Sequence, residues 1–448
     1  MSGPEADASA VPTDVTAVSR GTVRTYLEEM GPSWVAGAIA AGPATMASLV
    51  KAGAMFDYDL LWIVLLSAVA GALAQYLAMR LGLLTESGIV SVTEEHLGTT
   101  WAWILVADVV IAAGVAQLVI MNTVASVSAT LTGVDARLWG LFWAAVLVVG
   151  LAGRGYGLLE FAAKALVIAV VVAFVASLFV VPIEYGRAAS GLVPHLPGGS
   201  ALVAAGILGG AVHITLITMH SYTMRARDWS VREYGLATFD VGASMLVAFG
   251  IYSVAIFLVA ASVLSDPNLT TIGAAQALGP LVGANARLLF LLGLGGAAVS
   301  TLGGNTIVPP FLVADKLDWG TTIDDGRYRG LLAVFAAISA GGAFIGGEVL
   351  GQLVLVLALG TVGTPFAIAL VVYLLNSPAV PESNSHLANV GGIALFVASG
   401  TLAANFLRVQ ISTGLDLLSG VVVAFGLVLA IAILGLVAKF VREEVRSS

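Results

Sequence analysis

Residues 31–58 read GPSWVAGAIAAGPATMASLVKAGAMFDY. The run is apolar and long enough to cross a bilayer, which takes about 20 helical residues. Gly42-Pro43 stands at its middle, where proline removes a backbone donor and clashes with the preceding turn. Within hydrocarbon, freed backbone groups persist only where they face protein or a water-filled cavity. A spanning helix broken at mid-depth is therefore a candidate binding site. A plain proline kink is the competing reading, and this stretch alone does not separate the two.

A second stretch does. Residues 201–224, ALVAAGILGGAVHITLITMHSYTM, are also span-length, with Gly206, Gly209 and Gly210 followed by His213, Thr215, Thr218 and His220. This run begins 170 residues after the first (201 against 31), about five spans further on. Two interrupted segments at corresponding positions of two halves point to a transporter built from inverted repeats.

Composition agrees. Hydrophobic residues make up 59% of the 448, charged residues only 10%, and mean hydropathy is +1.00, whereas soluble domains carry about 25% charge. The chain is thus expected to be an all-α polytopic membrane protein with the lipid bilayer as its medium. Long apolar runs without period-2 alternation exclude a β-barrel. No cysteine is present, which excludes disulfides, iron–sulfur centres and thiolate metal sites. A net charge of −8 gives no basic footprint for nucleic acid. The spans hold no nucleophile–base pair and no paired-histidine zinc motif, so neither an enzyme nor a cofactor is expected.

Twelve spans can be drawn: 31–55, 59–83, 101–129, 138–152, 157–183, 201–224, 237–264, 286–313, 329–347, 349–376, 387–408 and 413–440. Lys and Arg favour cytoplasmic loops. With the N-terminus inside, thirteen of the nineteen fall inside and five outside, with Lys164 within a span. Both termini are therefore expected in the cytoplasm, in the inner membrane. The spans divide as five, five and two. Residues 1–25 form a polar tail, 26–184 the first repeat, 200–376 the second, and 387–448 two peripheral spans with a short tail.

The second span carries Phe56-Asp57-Tyr58-Asp59-Leu60-Leu61-Trp62 and then Ala74-Gln75-Tyr76-Leu77-Ala78-Met79-Arg80-Leu81-Gly82-Leu83-Leu84-Thr85. With Gly31-Pro32 and Met219-His220-Ser221, this resembles the NRAMP family of proton-coupled divalent-metal transporters. The resemblance implies the LeuT-type fold of 5+5 inverted repeats, here with two additional C-terminal helices. It covers spans one to ten in layout and is most specific in spans one and two. The family's metal site is where this sequence departs. Its Asp-Pro-Gly-Asn becomes Gly42, Pro43, Ala44 and Thr45, and its Met-Pro-His becomes His213, Ile214 and Thr215. In the family's proton path, Asp108 fits the upper acid of span three, and Gly114 and Gln117 replace the lower ones.

A dication at mid-membrane needs carboxylates and carbonyls if hard, or thioether and imidazole if softer. The two breaks supply Thr45, His213, Thr215, Thr218 and His220, with no carboxylate. The expected cargo-binding set is Gly42, Pro43, Ala44, Thr45, His213, Thr215, Thr218, Gln117 and Asn305, with no resident metal. Asp108 and His220 are the expected proton-coupling pair: intramembrane acids are functional by default, histidine titrates near pH 6.5, and the resemblance places both on the family's proton path, whereas His213 has no counterpart there. This chemistry leads to a secondary active transporter of a small neutral polar molecule such as a monosaccharide, coupled to protons. Little affinity for Mn2+ or Fe2+ is expected at the crossing. The alternative is a divalent-ion transporter (Mg2+, Mn2+ or Fe2+) with a relocated site that holds a hydrated ion through hydroxyls and carbonyls. The sequence leaves the oligomeric state open.

Overall fold

The computed structural model describes residues 37, 40–153, 157–226, 228–266, 269–382, 384–413 and 417–447. The expected tail, 1–25, lies outside them. The principal helices are α1 (Pro43–Phe56), α2 (Leu61–Thr85), α3 (Ile89–Leu97), α4 (Thr99–Thr132), α5 (Ala136–Gly153) and α6 (Gly157–Ser177). The second half follows with α7 (Ala201–Ala211), α8 (Ile214–Ala226), α9 (Tyr234–Val241), α10 (Gly250–Val263), α11 (Ala286–Lys316) and α12 (Gly326–Ile338). The last four are α13 (Val349–Gly360), α14 (Thr364–Leu374), α15 (His386–Thr413) and α16 (Leu417–Ser447). Every expected span contains helix. Eight helical stretches among the described residues are long and apolar enough to cross a membrane by length and composition.

Among the described residues, three spans are interrupted. At the first, Ala41-Gly42 form a turn and Pro43 opens α1 at its first position. Proline costs nothing there, since that amide has no partner within the helix. Pro43 therefore starts a half-helix and does not kink a whole one. The second interruption is Val212-His213, between α7 and α8. It sits at the N-terminal edge of His213–Thr218, where the sequence leads one to expect the break. The third, Thr361–Gly363 between α13 and α14, was not expected. A fourth irregularity is the π-helical segment Gly242–Phe249 joining α9 to α10.

The freed carbonyls at these breaks are met by threonines. Thr45 Oγ1 donates to Ala40 O at 2.5 Å, Thr361 Oγ1 to Ala358 O at 2.6 Å, and Thr364 Oγ1 reaches across to Val212 O at 2.9 Å. This is the side-chain compensation that makes broken backbone tolerable in a bilayer. Helix α7 lies against α13 with almost no clearance: a Cβ on Gly209 would stand 2.5 Å from Leu357 O. Only glycine fits there, as at many close helix crossings in membranes.

Both ends of the bundle are clasped. At one, Asp57 pairs with Arg187, whose guanidinium lies 5.8 Å over the Tyr58 ring. The Tyr58 hydroxyl meets Ser262 Oγ at 2.8 Å, and Trp62 Nε1 donates to His195 O at 2.9 Å. At the other, Ile89 N donates to Ser221 Oγ at 3.1 Å, and the Tyr222 hydroxyl to Asp315 at 2.8 Å. Lys316 pairs with Glu94 at 2.9 Å. The core between is filled by Phe174, Phe249, Phe257, Phe290 and Phe366, all fully buried. Large apolar side chains such as Val149, Ile168, Phe179 and Ile431 stand exposed on the flanks, as a lipid-facing surface requires.

Candidate functional site

The first two breaks meet, and a cavity of about 50 Å3 lies where they cross. Gly42, Pro43, Ala44, Thr45, His213, Thr215 and Asn305, seven of the nine residues expected to hold cargo, line it. Gly210 of α7, Thr301 of α11 and the apolar side chains of Ala116, Ile120, Leu216, Val356 and Leu357 complete the wall. Thr218 and Gln117 are not brought to it. Thr218 is fully buried within α8 and donates to Ile214 O at 2.9 Å. Gln117 instead ties α4 to α11, donating to Thr306 Oγ1 at 2.5 Å and accepting from Asn305 Nδ2 at 3.2 Å.

Asn305 does two jobs. Its Nδ2 also donates to Ala113 O at 2.7 Å, so both amide protons are spent on α4. The network that fixes this orientation leaves Oδ1 on the cavity side as an acceptor.

His213 is set by local backbone. It immediately precedes α8, whose first amides lack helical partners. Its Nδ1 accepts from Thr215 N at 3.3 Å and meets Thr215 Oγ1 at 2.7 Å, and so caps the half-helix. With Nδ1 used as acceptor, the neutral ring carries its proton on Nε2. As seated, His213 therefore offers its surroundings a donor, whereas a metal ligand needs a bare nitrogen. Thr45 spends its hydroxyl proton on Ala40 O, which leaves its oxygen as an acceptor. Among the described residues, no group of three or more His, Cys, Asp or Glu could hold a metal ion.

The third break links this cavity to a buried acid. A Cβ on Gly360 would stand 2.5 Å from His213 Nε2, and one on Gly363 would strike both carboxyl oxygens of Asp108. Two glycines three residues apart thus seat the imidazole and the carboxyl in neighbouring notches. Asp108 is 3% exposed and its Oδ2 has no hydrogen-bond partner. It does not line the cavity. His220 is equally buried, seven residues along from His213 on α8. The signal for this third break was present in Gly360-Thr361-Val362-Gly363-Thr364-Pro365, a dense set of helix-breaking residues.

The Nramp family model, described as natural resistance-associated macrophage protein-like, matches residues 33–409. The divalent metal cation transporter MntH of Mycobacterium tuberculosis is 28% identical over 382 residues, which cover 81% of this chain and 86% of that one. Its namesake in Deinococcus radiodurans is 29% identical over 320 residues, covering 66% and 72%. Among solved structures, the Eremococcus coleocola manganese transporter superposes with a TM-score of 0.73 at 16% identity, over 96% of this chain and 98% of that one. The nucleobase-cation-symport-1 transporter Mhp1 superposes at 0.56, also at 16% identity, over 93% and 94%. The fold is therefore the LeuT-type arrangement of five-plus-five inverted repeats with two additional C-terminal helices. A family match over most of the chain, on a fold whose broken helices cross as described, establishes that this protein belongs to the Nramp family of membrane transporters.

Proposed function

We propose that this chain is a secondary active transporter that carries a divalent cation through the crossing of its broken helices, with proton coupling at Asp108 and His220. Family membership across residues 33–409 carries the reading, and the curated relatives it matches are named divalent metal cation transporters. Cavity size supports it. About 50 Å3 holds roughly one or two waters at ~30 Å3 each, enough for one ion with a water or two and too little for a sugar ring. The ligands on offer are oxygens: Asn305 Oδ1, Thr45 Oγ1 and the hydroxyl of Thr301. With no carboxylate or thioether, such a set suits a hard ion that keeps part of its water, and Mg2+ dehydrates reluctantly. We place Mg2+ first and Mn2+ second.

A second reading, an uncharged polar molecule such as a monosaccharide, rests on one observation. The wall sets acceptors at Asn305 and Thr45 beside His213 and contains no charge. The comparisons lend it no support, and it requires the cavity to widen.

We take residues 26–184 and 200–376 as the two repeats, and both termini as cytoplasmic in the inner membrane on the Lys/Arg asymmetry. Uptake into proteoliposomes of Mg2+, Mn2+ and labelled glucose, with a pH-sensitive dye inside, separates the readings. Mg2+ entry accompanied by acidification is the expected result. Glucose entry with no divalent flux would replace the first reading by the second.

A further inference from the structure

We propose that the cleft enclosed by α14, α15 and α16 binds one membrane phospholipid by an acyl chain. The cleft measures about 350 Å3, several times the cargo cavity. Its walls are Ala369 and Val372 of α14, Gly392 and Phe396 of α15, and Val437 and Phe440 of α16. At its polar end, Asn376 and Asn389 exchange hydrogen bonds at 2.8 and 2.7 Å, and Asn384 adds a third to Asn389 at 2.9 Å. The two amides that line the cleft, Asn376 and Asn389, are spent on one another. A polar solute would find little to bond to, whereas an alkyl chain loses nothing by entering.

The surroundings specify where that chain comes from. Val390 and Leu434 are each more than half exposed on the outer faces of α15 and α16, and Ile393 and Val437, which line the cleft, are half exposed. These are peripheral helices of a membrane-spanning chain, so the medium at the cleft mouth is lipid. A cation stands at the rim as well. Lys439 Nζ lies 5.7 Å over the ring of Tyr373, which lines the cleft, and donates to His96 O at 3.2 Å. Arg442, exposed, follows three residues later on the same helix, close to Lys439 on the helix surface. A cation at the rim of an apolar cleft, with a second one turn further along the helix, complements a phosphate headgroup with its tail inside.

Position gives the site a consequence. Helix α14 is the second half of the third broken helix, the one that seats Asp108. A tail in the cleft touches α14 and both peripheral helices together, and so braces α14 against them.

The test uses the full-length protein, delipidated in detergent and titrated with palmitoyl-oleoyl phosphatidylglycerol or phosphatidylcholine under native mass spectrometry. One tightly retained lipid per chain is expected, with phosphatidylglycerol preferred. Val437→Trp fills the cleft and should weaken retention at least tenfold, and Ile393→Trp serves the same purpose if the first variant fails to fold. Leu434→Trp, on the same helix but outside the cleft, should bind as wild type does. Lys439→Gln should narrow the gap between the two lipids. Equal retention in the cleft-filling and control variants overturns the proposal. So does a wild-type dimer that Val437→Trp dissociates, because the face would then hold a second copy. Palmitate that displaces the phospholipid at equal concentration would overturn the headgroup's part.

Discussion

At the scale of single residues, Asp108 and the two glycines that seat its region make the sharpest claims. An unpartnered carboxylate buried this deeply is costly, so the neutral isostere Asp108→Asn should fold at least as stably as wild type. In the uptake assay its pH dependence should be flattened, as should that of His220→Gln, while equilibrium cargo binding persists. Wild-type pH profiles in both variants would remove these residues from the proton path and leave Asp240, a fully buried acid of α9, as the next candidate. Gly363→Ala drives a methyl into the Asp108 carboxyl and should destabilise by about 1–3 kcal/mol, the usual cost of overpacking. It should also displace the pH profile. Gly360→Ala meets His213 instead and should alter cargo affinity with the pH profile kept. The polar tie between α4 and α11 behaves differently again. Gln117→Leu leaves one Asn305 amide proton without its acceptor, while Thr306 keeps its bond to Leu302 O. It should cost about 1–3 kcal/mol in thermal stability and weaken cargo binding only through the loosened Asn305 amide, because Gln117 does not face the cavity.

At the scale of elements, two helix junctions can be titrated. The Val212 carbonyl is freed where α7 ends, and Thr364→Val removes its donor. A loss of about 1–3 kcal/mol is expected, together with lower uptake because two breaks lose their link. Near the other end, Glu94 lies outside the spans. The Thr99 hydroxyl and then the Lys316 ammonium hold its carboxyl below the ordinary value. A depressed folded-state value means that this clasp contributes fully above about pH 4.3, the unperturbed value for glutamate. The contribution then fades as pH falls through the lowered value in the folded protein. Thermal unfolding followed from about pH 3 to 7 should show that acid-side loss in wild type and lack it in Glu94→Gln.

The elements also show how far the sequence could be read. Broken spans one and six were legible because Gly42-Pro43 and the glycines before His213 are local punctuation within apolar runs. The third break was written just as plainly in GTVGTP, but those residues lay inside a run long enough to pass for one continuous span. Thr218 and Gln117 were placed at the cavity because both are polar and near a break or crossing. Polarity does not say which way a hydroxyl or amide turns. Thr218 turned to its own helix and Gln117 to its neighbour, since any unpaired donor in a dry interior costs more than a missing cargo contact. The tautomer of His213 was out of reach for the same reason, being set by a backbone amide that only the fold brings near.

At the scale of the whole molecule, the clasps at the two ends frame the transport cycle. Alternating access requires each to open in turn. Asp57→Asn should weaken the pairing with Arg187 and raise the share of chains open at that end. The wild-type chain contains no cysteine, so a single cysteine placed at Thr301 would report this as faster labelling by a thiol reagent from that side. Unchanged labelling would mean that the loop around Arg187 is no gate. The cavity wall has a further, electrical consequence. Because the residues that line it bring no carboxylate, the cavity supplies no countercharge, and with Asp108 protonated a dication would cross with its full +2. At about 2.3 kcal/mol per elementary charge for every 100 mV, an inside-negative membrane would pull such a loaded carrier inward by roughly 4.6 kcal/mol before any proton moved. Cation transport by this protein should therefore appear as current on a solid-supported membrane and accelerate with voltage, whereas an uncharged cargo would contribute only the charge of its protons.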